Sequence, residues 1–131
     1  MWPFGHRVKP TLGQLGEKLA VGLLKGKGLK ILARNYRCPA GEADLIALDT
    51  TTRPASGAET IVFVEVKARS SDRYVDPESA VDDDKRRRMR RVADCYLATR
   101  GSEGYNVRFD IVSVVLGGDQ KPKMRHTPDA F

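Results

Sequence analysis

The sequence predicts an α/β fold in which a mixed central sheet is flanked by helices. A helical pattern of apolar residues comes first, three strand-like segments follow, and a longer helical pattern precedes a final strand. The order is therefore αβββαβ. The third strand contains the run Ile61-Val62-Phe63-Val64, which is typical of a strand buried on both faces. With 131 residues, the chain is predicted to form one domain with a real core.

The first helix is predicted from Thr11, which can serve as its N-cap, to about Lys27. Its larger apolar residues share one stripe: Leu12, Leu15, Leu19 and Leu23. A second face carries small residues that permit close packing: Gly13, Gly16 and Ala20. Glu17 borders this second face, and its position alone is typical of a solvent-exposed carboxylate. Residues 1–10 precede the helix as an arm without periodicity.

Three strands are predicted next, over residues 29–36, 42–48 and 60–67. The first is an edge or near-edge strand because it carries Lys30 and Arg34. The link between the second and third holds Pro54 and Gly57, and it is short for a parallel crossover. These two strands are therefore expected to pair antiparallel. Residues 68–77 are predicted to form a polar loop.

The longest helix is predicted to begin at Asp76 or Ser79 and to run to about Arg100, with Gly101 as a stop. Its apolar stripe consists of Val81, Met89, Val92, Ala93, Tyr96 and Leu97. The last strand covers residues 106–116. A polar C-terminal tail, residues 117–131, follows it, and His126 in this tail is assigned no role.

Two charged residues, Glu65 and Lys67, end the otherwise apolar third strand and share one of its faces. Burying such charges costs several kcal/mol unless they are paired or bind a metal. A structural ion pair at a strand end is one explanation. The other depends on Asp44 in the neighbouring strand. If the register brings Asp44 close, the three groups make a divalent-metal site with a lysine as a point charge.

Lys85 falls on the apolar stripe of the long helix, so it either snorkels to solvent or reaches the metal site or a phosphate. The segment that it begins is strongly basic: Arg86, Arg87, Arg88, Arg90 and Arg91. Such a run is either a solvated face or a ridge that contacts phosphates. The net charge of +6 and the pI of about 9.5 suit a nucleic-acid partner and also an ordinary basic protein.

Several short motifs together resemble one known family: Gly16-Glu17, Arg34-Asn35, Gly41-Glu42-Ala43-Asp44-Leu45-Ile46-Ala47, Phe63-Val64-Glu65-Val66-Lys67-Ala68-Arg69 and Arg108-Phe109-Asp110. In this order they resemble the YraN-like family, small bacterial proteins that are similar to Holliday-junction resolvases. An acidic residue on one strand and Glu-x-Lys on the next resembles the PD-(D/E)xK nuclease superfamily. The resemblance covers roughly residues 13–115. It implies a three-layer restriction-endonuclease-like fold.

The resemblance also implies an activity, namely metal-dependent endonucleolytic hydrolysis of DNA, with branched or junction DNA as the substrate. Asp44 and Glu65 would hold Mg²⁺ or Mn²⁺, with the carbonyl of Val66 and the carboxylate of Glu17 as further ligands. Lys67 would orient the attacking hydroxide or stabilise the transition state. Where the family commonly has a larger aliphatic residue, this chain has Ala43, on the strand face opposite Asp44.

Two further acidic residues are given supporting roles. Glu42 is a second-choice ligand or a helper that orients Arg69, which itself is expected to contact nucleic acid. Asp110 is expected to be a partner for Arg108 or Arg69 and not a ligand. By analogy with resolvases, a homodimer is expected, and DNA is favoured over RNA as the partner.

Composition excludes some classes of function. The chain has no apolar run long enough for a membrane span, and its start lacks the apolar region of a signal peptide. Cys38 and Cys95 have no metal-type spacing and fit reduced thiols in a cytoplasm. Two alternatives to a nuclease stay open: a non-catalytic nucleic-acid-binding or accessory protein, and another metal enzyme such as a phosphatase.

Overall fold

A five-stranded sheet lies at the centre of the computed structural model, which describes residues 9–70, 82–101, 104–118 and 120–131. In order across the sheet, the strands are β1 (Lys30–Cys38), β2 (Gly41–Asp49), β3 (Thr60–Ser70), β4 (Asn106–Leu116) and β5 (Lys123–Thr127). The helices are α1 (Leu12–Gly26), α2 (Arg53–Ser56) and α3 (Asp83–Arg100). Strands β3 and β4 are parallel and the other pairs are antiparallel, so the sheet is mixed and the predicted pairing of β2 with β3 is confirmed.

Two hydrophobic clusters cover the two faces of the sheet, one beneath α1 and the other beneath α3. The first joins α1 to alternate residues of the central strands: Leu45, Ala47, Val62, Val64, Val112 and Val114. The second joins α3 to the residues between them, including Ala43, Ile46, Ile61 and Phe63. This helix–sheet–helix layering confirms the predicted three-layer α/β class. It also confirms the predicted stripe of α3 wherever the structure describes it, from Met89 to Leu97.

Helix α1 is capped as predicted, because the Thr11 hydroxyl accepts a hydrogen bond from Gln14 N–H. The face that it buries differs from the leucine stripe. Leu12 and Leu15 are exposed, whereas the buried face is formed by Gly16, Ala20, Val21 and Leu24. The helix lies so close to β3 that a Cβ on Gly16 would stand 2.6 Å from the Cβ of Ala68. Small residues therefore set the position of α1.

The largest departures from the predicted boundaries are three. Helix α3 begins at Asp83, where the Asp82 side chain accepts a hydrogen bond from Lys85 N–H and caps it, and the predicted starts, Asp76 and Ser79, lie outside the described residues. Strand β3 continues to Ser70 because its pairing with β4 extends that far, beyond the predicted start of the polar loop. The C-terminal segment, expected to be a polar tail, contains β5.

A buried charge network holds β5 and the residues after it against β4. Asp110 is fully buried, and its carboxylate accepts hydrogen bonds from Arg108, from His126 Nε2 at 2.7 Å and from Asp129 N–H at 3.0 Å. Arg108 also binds Asp49 at 3.0 Å. Burial raises the pKa of Asp110, but these hydrogen bonds outweigh it and hold the pKa below its usual range. The predicted pairing of Asp110 with Arg108 is confirmed, and His126 has a structural role that the sequence did not reveal.

The two cysteines, remote in sequence, meet between β1 and α3. A hydrogen bond with Cys38 and burial both raise the pKa of the Cys95 thiol, and both thiols are free. The rest of the predicted arm before Lys9, the rest of the predicted loop after Ser70, and Val81 lie outside the described residues. Within the described ranges, no helix has the length and apolar character needed to cross a membrane.

Candidate functional site

The regular alternation of strand residues breaks at one shared level in β1 and β2, in addition to the bulge between Ile31 and Ala33 of β1. In β2, Ala43 packs on the α3 side of the sheet, yet Leu45, two residues later, packs on the α1 side. In β1, Asn35 has a positive φ of 51°, which disturbs the strand at the same level. The register pairs Arg34 with Leu45 and Tyr36 with Ala43, so Asn35 and Asp44 lie between the same two pairs. We refer to this break in the alternation of the two strands as the kink at Asp44.

The kink places the Asp44 carboxylate at the end of the β2–β3 pairing. Regular pairing runs only to Leu45 and Val64, and beyond it Asp44 Oδ2 accepts a hydrogen bond from Val66 N–H at 2.8 Å. Burial raises the pKa of Asp44, and the carboxylates of Glu65, Glu17 and Glu42 raise it further, against the lowering effect of this hydrogen bond. Four carboxylates therefore influence one another around this strand end.

Glu65 is held by two lysines from different elements. Its Oε1 lies 3.3 Å from Lys67 Nζ on the same strand, and it also contacts Nζ of Lys85 from α3. All three side chains are mostly buried, with at most 23% of their surface exposed. Burial and the neighbouring Lys85 ammonium lower the pKa of Lys67, while Glu65 opposes them. Lys85 therefore does not snorkel to solvent but reaches Glu65, as the second of its two hypotheses predicts.

Two clefts meet at Asp44. The first, of about 380 Å³, is bordered by Glu17 of α1 and by Lys67 and Arg69 of β3. The second, of about 260 Å³, lies toward α3 and is bordered by Glu65, Lys85 and Arg88. We refer to them as the α1 cleft and the α3 cleft. Every residue predicted as catalytic borders at least one of them, so the structure brings the predicted set together.

The carboxylates of Asp44 and Glu65 offer oxygen donors, which are the ligands that Mg²⁺ prefers. Glu65 Oε2 is buried and, among the described residues, no group donates a hydrogen bond to it. Such an atom is costly unless something binds it. The described residues contain no group of three or more His, Cys, Asp or Glu side chains arranged to hold a metal. Mg²⁺ is commonly held by one or two carboxylates together with water and substrate phosphates, so Asp44 and Glu65 fit it without a complete protein cage.

The basic run on α3 does not form one ridge. All of its arginines are exposed, but they point in several directions around the helix. Arg88 borders the α3 cleft, Arg87 forms an ion pair with Asp84 in the first turn of α3, and Arg90 lines a pocket beside Phe131. Arg88 is therefore the arginine of this run whose position best suits the predicted contact with phosphate. Lys85 belongs to the site itself.

Two other predicted residues lie near the site with different partners. Glu42 borders the α3 cleft, and its ion pair at 3.2 Å is with Arg37 of β1, not with Arg69. Arg69 borders the α1 cleft beside Asp44 and Glu17. The predicted role of Glu42 as a helper for Arg69 is therefore not seen, although its charge does act on Asp44.

The sequence motifs include Asn35 but assign it no role, although it lies beside Asp44 in the sheet. A usable signal existed, because asparagine is depleted in strands and tolerates positive φ better than most residues. Sequence reasoning also missed the kink itself. The pattern of β2 predicts an ideal strand, in which Ala43 and Leu45 would share one face.

Comparison with known proteins gives a consistent result. A family model described as "Uncharacterised protein family UPF0102" matches residues 16–114. A UPF0102 protein of Moorella thermoacetica is 47% identical over 109 residues, which cover 83% of this chain and 84% of that protein. One of Mycobacterium ulcerans is 45% identical over 115 residues, 88% of this chain and 89% of the relative. One of Geotalea daltonii is 37% identical over 127 residues, 97% and 94% of the two chains.

Proposed function

Because this chain belongs to the uncharacterised protein family UPF0102, the YraN-like family that its motifs resemble, we propose from its site that it is a metal-dependent endonuclease acting on DNA. The observation that carries the proposal is the convergence of Asp44, Glu65 and Lys67 on one half-buried strand end. A structural ion pair would need only Glu65 and one lysine. It would not explain a second carboxylate whose pKa is raised, nor a buried carboxylate oxygen without a partner in the described part of the chain.

Asp44 and Glu65 are the groups that would hold Mg²⁺ or Mn²⁺, with the Val66 carbonyl as a further oxygen donor and Glu17 in the outer ligand set, acting through water. A bound divalent ion would lower the pKa of water and neutralise charge on the phosphate. The cluster of carboxylates at Asp44 favours any cation that enters, because the anions repel one another when no cation separates them.

Lys67 is the residue that we assign to the reacting phosphate. Its ammonium is mostly buried and lies 3.3 Å from Glu65 Oε1, so its position is fixed by the carboxylate. A positioned cation stabilises the charge that develops on a phosphoryl group in the transition state.

Lys85 holds Glu65 from the opposite side, as a positioning residue. It reaches across from α3, so it fixes the helix and the carboxylate relative to each other. A divalent ion on Glu65 would neutralise this carboxylate, and the ammonium groups of Lys67 and Lys85 would then be available to phosphate oxygens.

Phosphate contacts outside the reacting centre are assigned to Arg69 in the α1 cleft and Arg88 in the α3 cleft. Contacts of this kind position a nucleic acid without reading its sequence. We therefore propose structure-selective cleavage, of branched or junction DNA, by a homodimer in which each subunit cuts one strand. Binding through such contacts should weaken steeply as salt rises.

The test is cleavage of a labelled panel of single strands, duplex, flap, fork, four-way junction and RNA, with Mg²⁺ or Mn²⁺. Asp44→Ala and Lys67→Ala are assayed beside the wild type, and light scattering reports the oligomeric state. We expect wild-type cutting of one structure, no cutting by either variant, and nearly unchanged DNA affinity of Lys67→Ala. Salt-sensitive binding without cutting would favour an accessory protein. Equal cutting by the wild type and both variants would contradict the assignment of the site.

A further inference from the structure

A second groove runs between α1 and β1, beside the α1 cleft. It has a volume of about 520 Å³, and its walls include Glu17, Lys18, Gly22 and Lys25 of α1 with Arg34 and Asn35 of β1. Glu17 borders both this α1–β1 groove and the α1 cleft at Asp44, so the two adjoin at this residue. Apart from Glu17, none of these groove residues has a part in the proposed chemistry.

The groove is positively charged. Lys18, Lys25 and Arg34 are all exposed, and in the described part of the chain none of their side chains forms an ion pair or a hydrogen bond. Glu17, at the end toward the candidate site, is the one carboxylate among the described residues that line the groove. Lys18 and Lys25 lie about 10 Å apart along the same side of the helix, as two turns require. Such uncompensated cations attract a polyanion.

Gly22 gives a second, independent reason to place a ligand here. It lies in the middle of α1, between Lys18 and Lys25, where glycine costs about 0.5–1 kcal/mol relative to alanine. The packing of the protein does not require it, because a Cβ at this position would meet nothing within 4 Å. Gly16 on the same helix is different, since β3 blocks its Cβ. A missing side chain on an exposed helix face allows an external backbone to approach closely.

The backbone of β1 is shaped toward the same groove. Asn35 adopts a positive φ, a conformation that is uncommon outside glycine, and it does so inside a strand. As a result, Arg34 and Asn35, which are consecutive, both line the groove. Sparsely populated backbone conformations persist at binding and catalytic sites when the surrounding fold imposes them. Arg34 offers a fork of donors for phosphate, and the Asn35 amide offers one more.

We propose that the α1–β1 groove binds the sugar-phosphate backbone of a single nucleic-acid strand leading to the candidate site. Lys18, Lys25 and Arg34 contact successive phosphates, and Gly22 lets the strand lie against the helix. The inference rests on the proposed function for its direction, because the strand in the groove is the one that continues to Asp44. Its binding part can be tested without any cleavage.

The test measures anisotropy of a fluorescein-labelled 20-nucleotide single-stranded DNA in EDTA, over a series of salt concentrations. The triple variant Lys18→Gln/Lys25→Gln/Arg34→Gln is compared with Lys30→Gln/Arg53→Gln/Lys121→Gln, which removes the same charge from exposed residues outside the groove and both clefts. We expect the groove variant to bind roughly tenfold to a hundredfold more weakly and to lose about two units of the log–log salt slope. Equal losses of affinity in the two triple variants would contradict the proposal that the groove binds the strand.

A second variant, Gly22→Leu, fills the groove and leaves its charge unchanged. We expect it to keep or raise the melting temperature and to lower affinity for the same strand at least several-fold. Unchanged affinity would overturn the close approach of a strand at Gly22. Weaker binding by both groove variants, with no cutting by the wild type, would support the groove and contradict the nuclease. Normal cutting and normal binding by the groove variants would support the nuclease and contradict the groove.

Discussion

Replacing Gly16 with alanine tests how closely α1 packs against β3 at the candidate site. The new Cβ would stand 2.6 Å from the Cβ of Ala68, whereas packed carbon atoms lie about 3.5–4.0 Å apart. The helix or the strand must therefore move by about 1 Å. Alanine at Gly22 of the same helix meets nothing within 4 Å, so Gly22→Ala is the matched control.

The expected magnitude follows from two opposing terms. Alanine gains about 1 kcal/mol of helix propensity at either position. Overpacking typically costs about 1–3 kcal/mol, and only Gly16→Ala incurs it. We therefore expect Gly22→Ala to stabilise the protein by about 1 kcal/mol, and Gly16→Ala to be neutral or to destabilise it by up to about 2 kcal/mol. The difference between the two variants isolates the packing term.

The assay is urea denaturation of the two single variants, of Ala68→Gly and of the double variant Gly16→Ala/Ala68→Gly. Removing the Cβ of Ala68 should relieve the contact, so the double-mutant cycle should show favourable coupling of about 0.5–3 kcal/mol. Cleavage gives a separate readout if the proposed function holds. Glu17 follows Gly16 directly, and a shift of about 1 Å at a catalytic group can reduce the rate about a hundredfold.

One result would refute this reasoning. If Gly16→Ala and Gly22→Ala stabilise the protein equally and the cycle shows no coupling, α1 does not lie against β3 at this distance. The positions inferred for Glu17 and for the α1 cleft would then be wrong as well.

The remaining predictions concern charge. Because the pKa of Asp44 is raised in the fold, its ionised form destabilises the protein without metal, and stability rises as pH falls through that raised pKa. Thermal denaturation in EDTA at pH 7 should therefore show Asp44→Asn to be more stable than wild type, while millimolar Mg²⁺ or Mn²⁺ should raise the melting temperature of wild type alone; an equal rise in both would contradict the metal site. The pKa of Asp110 is lowered in the fold, so its ionised carboxylate stabilises the protein. This stabilisation is fully present above the ordinary aspartate pKa and is lost as pH falls through the lowered pKa. Asp110→Ala should cost about 3–5 kcal/mol at pH 7, because it leaves Arg108 and His126 without their buried carboxylate, and a loss below 1 kcal/mol in urea titration would contradict that network.

Much of the architecture could be predicted because it depends on local pattern. The apolar run at Ile61 identified the central strand, and the spacing from Met89 to Leu97 identified the buried side of α3. The contact of Glu65 with Lys67 follows from strand alternation alone. These features need no knowledge of distant residues.

The errors arose where tertiary contacts override local pattern. The leucines at positions 12 and 15 formed the most regular stripe of α1, but the helix buries its small face because only small side chains allow it to approach β3. β5 is short and polar, and it is ordered by the buried Asp110, whose partner His126 could not be identified from spacing. The kink at Asp44 depends on two strands at once, so neither strand alone reveals it.

The kink has one consequence for chemistry. Because alternation fails at Asp44, this carboxylate opens onto both the α1 cleft and the α3 cleft, which lie toward different layers of the fold. In-line attack on phosphorus needs approach on one side and departure on the other. An ideal strand would present its carboxylate to one layer only. For the proposed hydrolysis, the two clefts would offer separate sides for the attacking water and for the leaving oxygen.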